Sequence, residues 1–156
     1  MLFRSVSQSR YLPENYHIHI CGFGTDEDTK QVKELIATAS KKTKAMVTYD
    51  GLKKGREFIE FLQRCHIGLS TQKPEGSYND TSFPSKVLTY IANGLSVVSV
   101  RLPVLEASSI QDATSFFDIA KGNSLAKAIQ NVESKDNHKM IQQLDNNFKN
   151  TIKNIL

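Results

Sequence analysis

The run Ser96-Val97-Val98-Ser99-Val100 constrains the fold more than any other stretch of this chain. Its β-branched side chains suit a pleated strand, and the turn-forming pair Asn93-Gly94 lies just ahead of it. The stretch before that turn reads as a helix. Pro84 opens it, as a residue whose fixed backbone suits the first helical position, and Asn93-Gly94 closes it as a C-cap. A strand fed so directly by a helix belongs to an alternating chain, and the alternation extends in both directions.

Upstream, residues 2–11 read as a helix, and residues 16–21 alternate apolar and polar before running into Gly22-Phe23-Gly24-Thr25. Asp26-Glu27-Asp28 predicts a helix start with acids in the first turn, followed by an apolar stripe of Val32, Leu35, Ile36 and Ala39. Ala45-Met46-Val47 predicts a short strand closed by Tyr49-Asp50-Gly51. Residues 55–64 predict a helix with Phe58, Ile59 and Leu62 on one face, and Ile67-Gly68-Leu69-Ser70 a buried strand. A polar loop from Thr71 to Ser82 precedes the Pro84 helix. Downstream, Phe116-Phe117-Asp118-Ile119 predicts a last strand. Two helices follow, one with Leu125, Ala128, Ile129 and Val132 on a face, the other with Ile141, Leu144, Phe148, Ile152 and Ile155. Strands alternating with helices imply a Rossmann-like α/β domain, three layers thick, with a parallel sheet flanked by helices. Residues 1–135 are expected to form it, and residues 136–156 a C-terminal helix that packs on it or reaches away.

Composition narrows the function classes. The 156 residues suffice for one domain with a real core, and 39% apolar with 23% charged residues is ordinary globular usage. The sequence holds no apolar run long enough to cross a bilayer and no long apolar leader segment. Cys21 and Cys65 form neither a CxxC nor a metal-ligand spacing, so they read as small apolar residues of a cytoplasmic protein. The net charge of +4 admits nucleic acid or an anionic surface. Yet the lysines cluster at helix ends, where cations offset the dipole, and no basic stripe alternates with aromatics, so nucleic acid is not expected.

In a parallel sheet ligands bind at the carboxyl ends of the strands. Three loops lie there: Gly22 to Thr25, Tyr49 to Gly51, and Thr71 to Lys86. The first invites a dinucleotide reading, which fails on two counts. A third glycine would fall at position 27, which is Glu27, and the acids at positions 26–28 would repel a pyrophosphate. The third loop has the opposite character. Thr81-Ser82-Phe83-Pro84-Ser85-Lys86 puts a lysine in a helix's first turn, where the dipole disfavours a cation, together with hydroxyls and free N–H groups. Either an anion completes that site, or Lys86 is a solvated side chain with Ser82 or Ser85 capping the helix.

The stretch FPSKVLTYIANGLSVVSV resembles a segment of the GT-B glycosyltransferases, in particular family 4 and the capsule and exopolysaccharide transferases. Ile18-His19-Ile20-Cys21-Gly22-Phe23-Gly24 resembles that family's strand ending in a G-x-G turn. Tyr49-Asp50-Gly51 resembles a further loop, and residues 58–69 a helix–strand stretch, so the likeness covers residues 12–133 in order. The resemblance implies the C-terminal, donor-binding half of such an enzyme. It would hold a UDP- or GDP-sugar for transfer to a glycan or lipid-linked acceptor in surface polysaccharide synthesis, without metal or other cofactor. It implies Tyr49, Gly51 and Leu52 near the base, Gly22 at the donor site, and backbone groups around Thr81, Ser82, Phe83, Pro84 and Ser85 at the diphosphate. Lys86 would stabilise the leaving group electrostatically. Thr81 and Thr89 stand where the family often carries glutamates, so Thr89 is the implied ribose contact, and Glu75 is an alternative carboxylate. The family's first strand and its acceptor half have no counterpart here, so the chain is expected to be a fragment that transfers nothing alone, from a protein with peripheral membrane association. A non-catalytic binding module and a sugar-nucleotide epimerase of the same fold are the alternatives.

The remaining features read as structural. His17 and His19 form an H-x-H without further metal ligands nearby in sequence. His66 opens a strand, and Asn79-Asp80-Thr81 is a formal glycosylation sequon without meaning in the cytoplasm.

Overall fold

A computed structural model describes residues 6–72, 83–133 and 137–155. The Val-rich run forms strand β4, Ser96–Val100, with Val97, Val98 and Val100 buried on both sides of the sheet. It lies between β3, Ile67–Ser70, and β5, Thr114–Phe117, and all three are parallel. The other two strands, β1, His17–Cys21, and β2, Met46–Gly51, form a separate parallel pair. The strands are therefore ordered β1-β2 in one sheet and β3-β4-β5 in the other.

The crossovers are helical, as parallel pairing requires. Helices α1, Asp26–Ser40, and α2, Gly55–Leu62, follow β1 and β2, and α3, Ser85–Ala92, joins β3 to β4. A short α4, Pro103–Glu106, and a 3-10 turn, Gln111–Ala113, lead into β5. Helices α5, Ser124–Gln130, and α6, His138–Ile155, end the chain. The result is a Rossmann-like α/β domain of parallel strands flanked by helices. One core joins both sheets: Ile18, Ile20 and Val47 from the first pair share it with Val97, Val98, Val100 and Phe117. The leading helical turn through Tyr11 contributes Val6 and Leu12 and ties distant elements together. The Ser9 carbonyl accepts a hydrogen bond from Thr43 at 2.7 Å, and the Tyr11 carbonyl one from Gln130 at 2.9 Å.

Several boundaries differ from the sequence expectation. β2 runs on through Tyr49-Asp50-Gly51 rather than closing before them, because Gly51 reaches φ +69° at the strand's last residue and turns the chain there. Pro84 is the residue before α3, not its first helical residue, and it is buried. β5 begins at Thr114, two residues before Phe116, and ends at Phe117, so Asp118 and Ile119 fall past it. The pattern gave no hint of α4, whose single turn is opened by Pro103 at its first position. The expected C-cap of α3 is present in full: Gly94 has φ +82°, its N–H donates to Ile91, and the Leu95 N–H donates to Tyr90, a Schellman arrangement. Helix α6 packs through Met140, Ile141 and Leu144, while Phe148 and Ile152 stay exposed.

Candidate functional site

Two groups of the expected site residues lie at the carboxyl ends of the strands. The first is a turn cluster. Gly22 follows β1, its N–H donates to the Gly51 carbonyl at 3.0 Å, and its carbonyl accepts from the Tyr49 hydroxyl at 2.9 Å. Gly22, Tyr49 and Gly51 thus form one linked unit, with Leu52 exposed beside it. The Tyr49 hydroxyl is already donated and its half-buried ring packs against the core, so the open part of the unit is the surface of the two glycines. A Cβ added at Gly22 or at Gly51 would meet nothing within 4 Å.

The adjoining Gly24-to-Asp28 stretch is sealed against anions. Thr25 caps α1, accepting from the Asp28 N–H at 3.1 Å, while the Asp28 carboxylate accepts from the Thr25 N–H at 2.9 Å and from its hydroxyl at 2.8 Å. These hydrogen bonds from Thr25 hold the Asp28 carboxyl below its usual range. Gly24 is required by the same arrangement, since a Cβ there would stand 2.8 Å from the Asp28 Cβ. The glycine turn and acid-capped helix expected from the sequence are present.

The second group sits at the start of α3. Pro84 has no side chain able to cap a helix, and no capping hydrogen bond is made there. Phe83 is half-buried against the core and Pro84 is buried, so this pair anchors the helix end rather than offering polar groups. Ser85 and Lys86 follow, both exposed, and Lys86 makes no ion pair among the described residues. Thr89, one turn on, donates its hydroxyl to the Ser85 carbonyl at 3.3 Å, leaving only its oxygen as an acceptor toward a ligand. Thr81, Ser82 and Glu75 lie outside the described residues.

Two features missed from sequence fix where α3 stands. Gly68 has no room for a side chain: a Cβ there would lie 2.3 Å from Cγ and Cδ2 of Tyr90. The Tyr90 ring therefore rests directly on the β3 backbone, and burial pushes its hydroxyl pKa up. The other feature is Ser70, fully buried, whose hydroxyl has no hydrogen-bond partner among the described residues. β3 and β4 are parallel, so α3 returns antiparallel to them. Moving from Gly68 to Ser70 advances about 6–7 Å along the strand, or roughly four residues back along the helix from Tyr90. Ser70 lies on the same face of β3 as Gly68, the face on which α3 rests. Gly68 and Tyr90 are far apart in sequence, and a single sequence does not show that they meet.

The best-formed hollows lie elsewhere, one of about 340 Å³ against Gln8, Phe117 and Lys121, the other of about 360 Å³ along Phe116, Lys127 and Asn131. Both are open depressions beside β5 and α5, and neither includes a residue of the two groups.

His17 and His19 stack at 3.7 Å between ring centroids on the outer face of β1. His19 Nδ1 lies 3.1 Å from the Asp50 carboxylate and His17 Nε2 2.9 Å from the Thr48 hydroxyl. Among the described residues no group of three or more His, Cys, Asp or Glu side chains is placed to hold a metal ion. Cys21 and Cys65 are free, and burial raises both thiol pKa values. No described helix is long and apolar enough to cross a membrane. Comparison with family models, with curated proteins and with solved structures gives no match for this chain.

Proposed function

We propose that this chain is the donor-binding half of a GT-B glycosyltransferase, holding a UDP- or GDP-sugar whose diphosphate sits at the start of α3. The observation that carries the reading is the Lys86 cation, without an ion-pair partner among the described residues, in the first turn of a helix whose N-cap, Pro84, makes no capping hydrogen bond. A helix N-terminus repels a cation and attracts an anion, so a bound diphosphate would relieve the first and satisfy the second. The sealed start of α1 excludes the competing phosphate position. The linked Gly22, Tyr49 and Gly51 turn then offers an open glycine surface toward the base. Lys86 would act on the leaving diphosphate by charge, with Ser85 and Phe83 backbone groups beside it and Thr89 toward the ribose. The acceptor, a glycan or lipid-linked saccharide, would be held by another part of the enzyme at the cytoplasmic side of a membrane.

Calorimetric titration of UDP, GDP and their sugars, with Lys86→Ala alongside, tests this. A charge-assisted contact contributes about 1.5–3 kcal/mol, so the variant should bind roughly 10- to 100-fold more weakly. Saturable binding that ignores the substitution would remove the diphosphate from this place.

A non-catalytic α/β module is the second reading. It is favoured by Thr89, whose hydroxyl is turned back onto the Ser85 carbonyl rather than held toward a ligand. Absence of binding by any of these nucleotides would support it.

A further inference from the structure

The outer face of β1 carries a side-chain cluster that the donor site does not use. In a strand, residues two apart point to the same face, so His17 and His19 become neighbours only because residues 17–21 are extended. On a helix the same spacing would turn the two rings away from each other. Here the ring centroids stand 3.7 Å apart with a tilt of 36°, and both residues are exposed.

Side chains of β2 place the protons of both rings. The Thr48 hydroxyl donates to Oδ2 of Asp50 at 3.1 Å, so its oxygen is left to accept from Nε2 of His17 at 2.9 Å. Nδ1 of His19 donates to the same Asp50 carboxylate at 3.1 Å. Each imidazole thereby keeps a free lone pair on its other nitrogen, Nδ1 of His17 and Nε2 of His19. Neither of these has a hydrogen-bond partner among the described residues. A ring with one nitrogen donating to a carboxylate or similar acceptor and the other bare is the arrangement of metal-binding histidines. The local charge agrees: Asp50 and Glu57 outnumber Lys53, which is paired to Glu57 at 2.9 Å and lies over the Phe61 ring. Phe61 in turn meets the His19 ring edge to face at 5.2 Å and braces one side of the pair.

We infer that His17 and His19 chelate one divalent transition-metal ion of the class that favours imidazole, such as zinc or nickel, with Asp50 and Thr48 orienting the two rings. Two metal–nitrogen bonds of about 2.0–2.1 Å at a tetrahedral angle set the nitrogens roughly 3.4 Å apart. That is close to the ring separation here, and exposed rings are free to turn their bare edges onto one ion. Among the described residues no third His, Cys, Asp or Glu is placed to complete the set, so the remaining coordination positions fall to water. The pair exists only in the strand, so binding belongs to the folded chain and stabilises it. The inference does not depend on which ligand the start of α3 takes.

Calorimetric titration of zinc and nickel into the full chain tests this, at about pH 7.5, where an ordinary imidazole is mostly neutral. The chain should take up one ion, and magnesium, which prefers oxygen ligands, should not compete. Asp50→Asn should weaken binding by about 10- to 100-fold, the usual loss when a partner that orients a ligand is changed. His17→Gln and His19→Gln should each weaken it further, to the level of a lone imidazole, and the double variant should lose little more than either. Zinc should raise the urea midpoint of the parent and leave both histidine variants unmoved, their metal-free midpoints showing that they fold. Absence of saturable uptake, two ions per parent chain, or binding that survives either histidine change would overturn the chelate. So would binding lost in Cys21→Ser, which would assign the ion to the thiol two residues along the same strand.

Discussion

Of the helices that begin after the carboxyl ends of the strands, α1 and α3 begin in opposite ways. The start of α1 is closed by its own side chains: Thr25 and Asp28 satisfy each other reciprocally, and Asp26 and Glu27 add negative charge where the dipole favours it. The start of α3 has a proline where a capping side chain would stand and a lysine where an acid would be favoured. One end satisfies its own donors and dipole, and at the other the dipole would favour an anion. The glycine-rich loop that draws the eye in the sequence thus belongs to the sealed end. The open end is marked by residues that are locally unfavourable, as is common where a site is maintained at some cost to the free protein.

The strongest way to break this contrast is to displace α3. Gly68→Ala drives a methyl into the Tyr90 ring, and neither partner is a flexible side-chain tip. Overpacking of this kind costs about 1–3 kcal/mol, and the contact distance argues for the upper part of that range. Urea denaturation should show the loss, and Tyr90→Ala in the same chain should remove most of the added penalty, since the two positions share one contact. A Gly68→Ala protein as stable as the parent would mean that α3 is not seated by Tyr90.

Next in size is the cap of α1. Thr25→Ala removes the hydroxyl's part of the reciprocal arrangement, leaving only the backbone N–H bond to Asp28, and should destabilise by about 1 kcal/mol. Nucleotide affinity should stay unchanged, because that end is not offered to ligand. A drop in affinity matching that of Lys86→Ala would move the anion to the glycine loop.

Lys86→Glu should produce opposite signs in two measurements. In the free chain an acid in the first turn of α3 should stabilise by about 0.3–1 kcal/mol, seen as a higher urea midpoint at low salt. The same substitution should abolish measurable nucleotide binding. Stabilisation without loss of binding would show that the helix start is frustrated for some reason other than a ligand.

The strands and helices of the fold were largely legible because their signals are local. β4 is β-branched between turns, α3 ends in Asn93-Gly94, and α1 begins with acids, each a feature of a few adjacent residues. The errors are also local: Pro84 suits both the residue before a helix and the first one in it, and Gly51 ends a strand that its neighbours Tyr49 and Asp50 extend. What the sequence could not reveal depends on long-range contact. Gly68 looks like a loose strand glycine until Tyr90 is placed on it. Of the site, Lys86 in a first turn was readable as a charge in the wrong place, and the buried Ser70 hydroxyl on the same strand face as Gly68 was not.

The smallest expected effect sharpens the contrast by asking whether the two halves respond separately. The outer face of β1 and β2 carries His17 and His19 in ring contact, with Thr48 and Asp50 opposite. Burial lowers the His17 pKa from 6.5, the neighbouring His19 lowers it further, and Asp50 pulls the other way. A histidine whose pKa is lower folded than unfolded binds protons more readily in the unfolded chain. Its contribution is complete above the unfolded value and is lost as pH falls through 6.5 toward the folded one. Acidification through that window should therefore reduce stability slightly, and His17→Gln should flatten the dependence. Because His17 is mostly exposed, solvent screens the effect, and the shift in urea midpoint should be the smallest of the four. Exchange at β1 and β2 amides should rise with acid after correction for the intrinsic rate, while β4 amides report no change. A pH response shared equally by β4 would mean that the two sheets open as one unit.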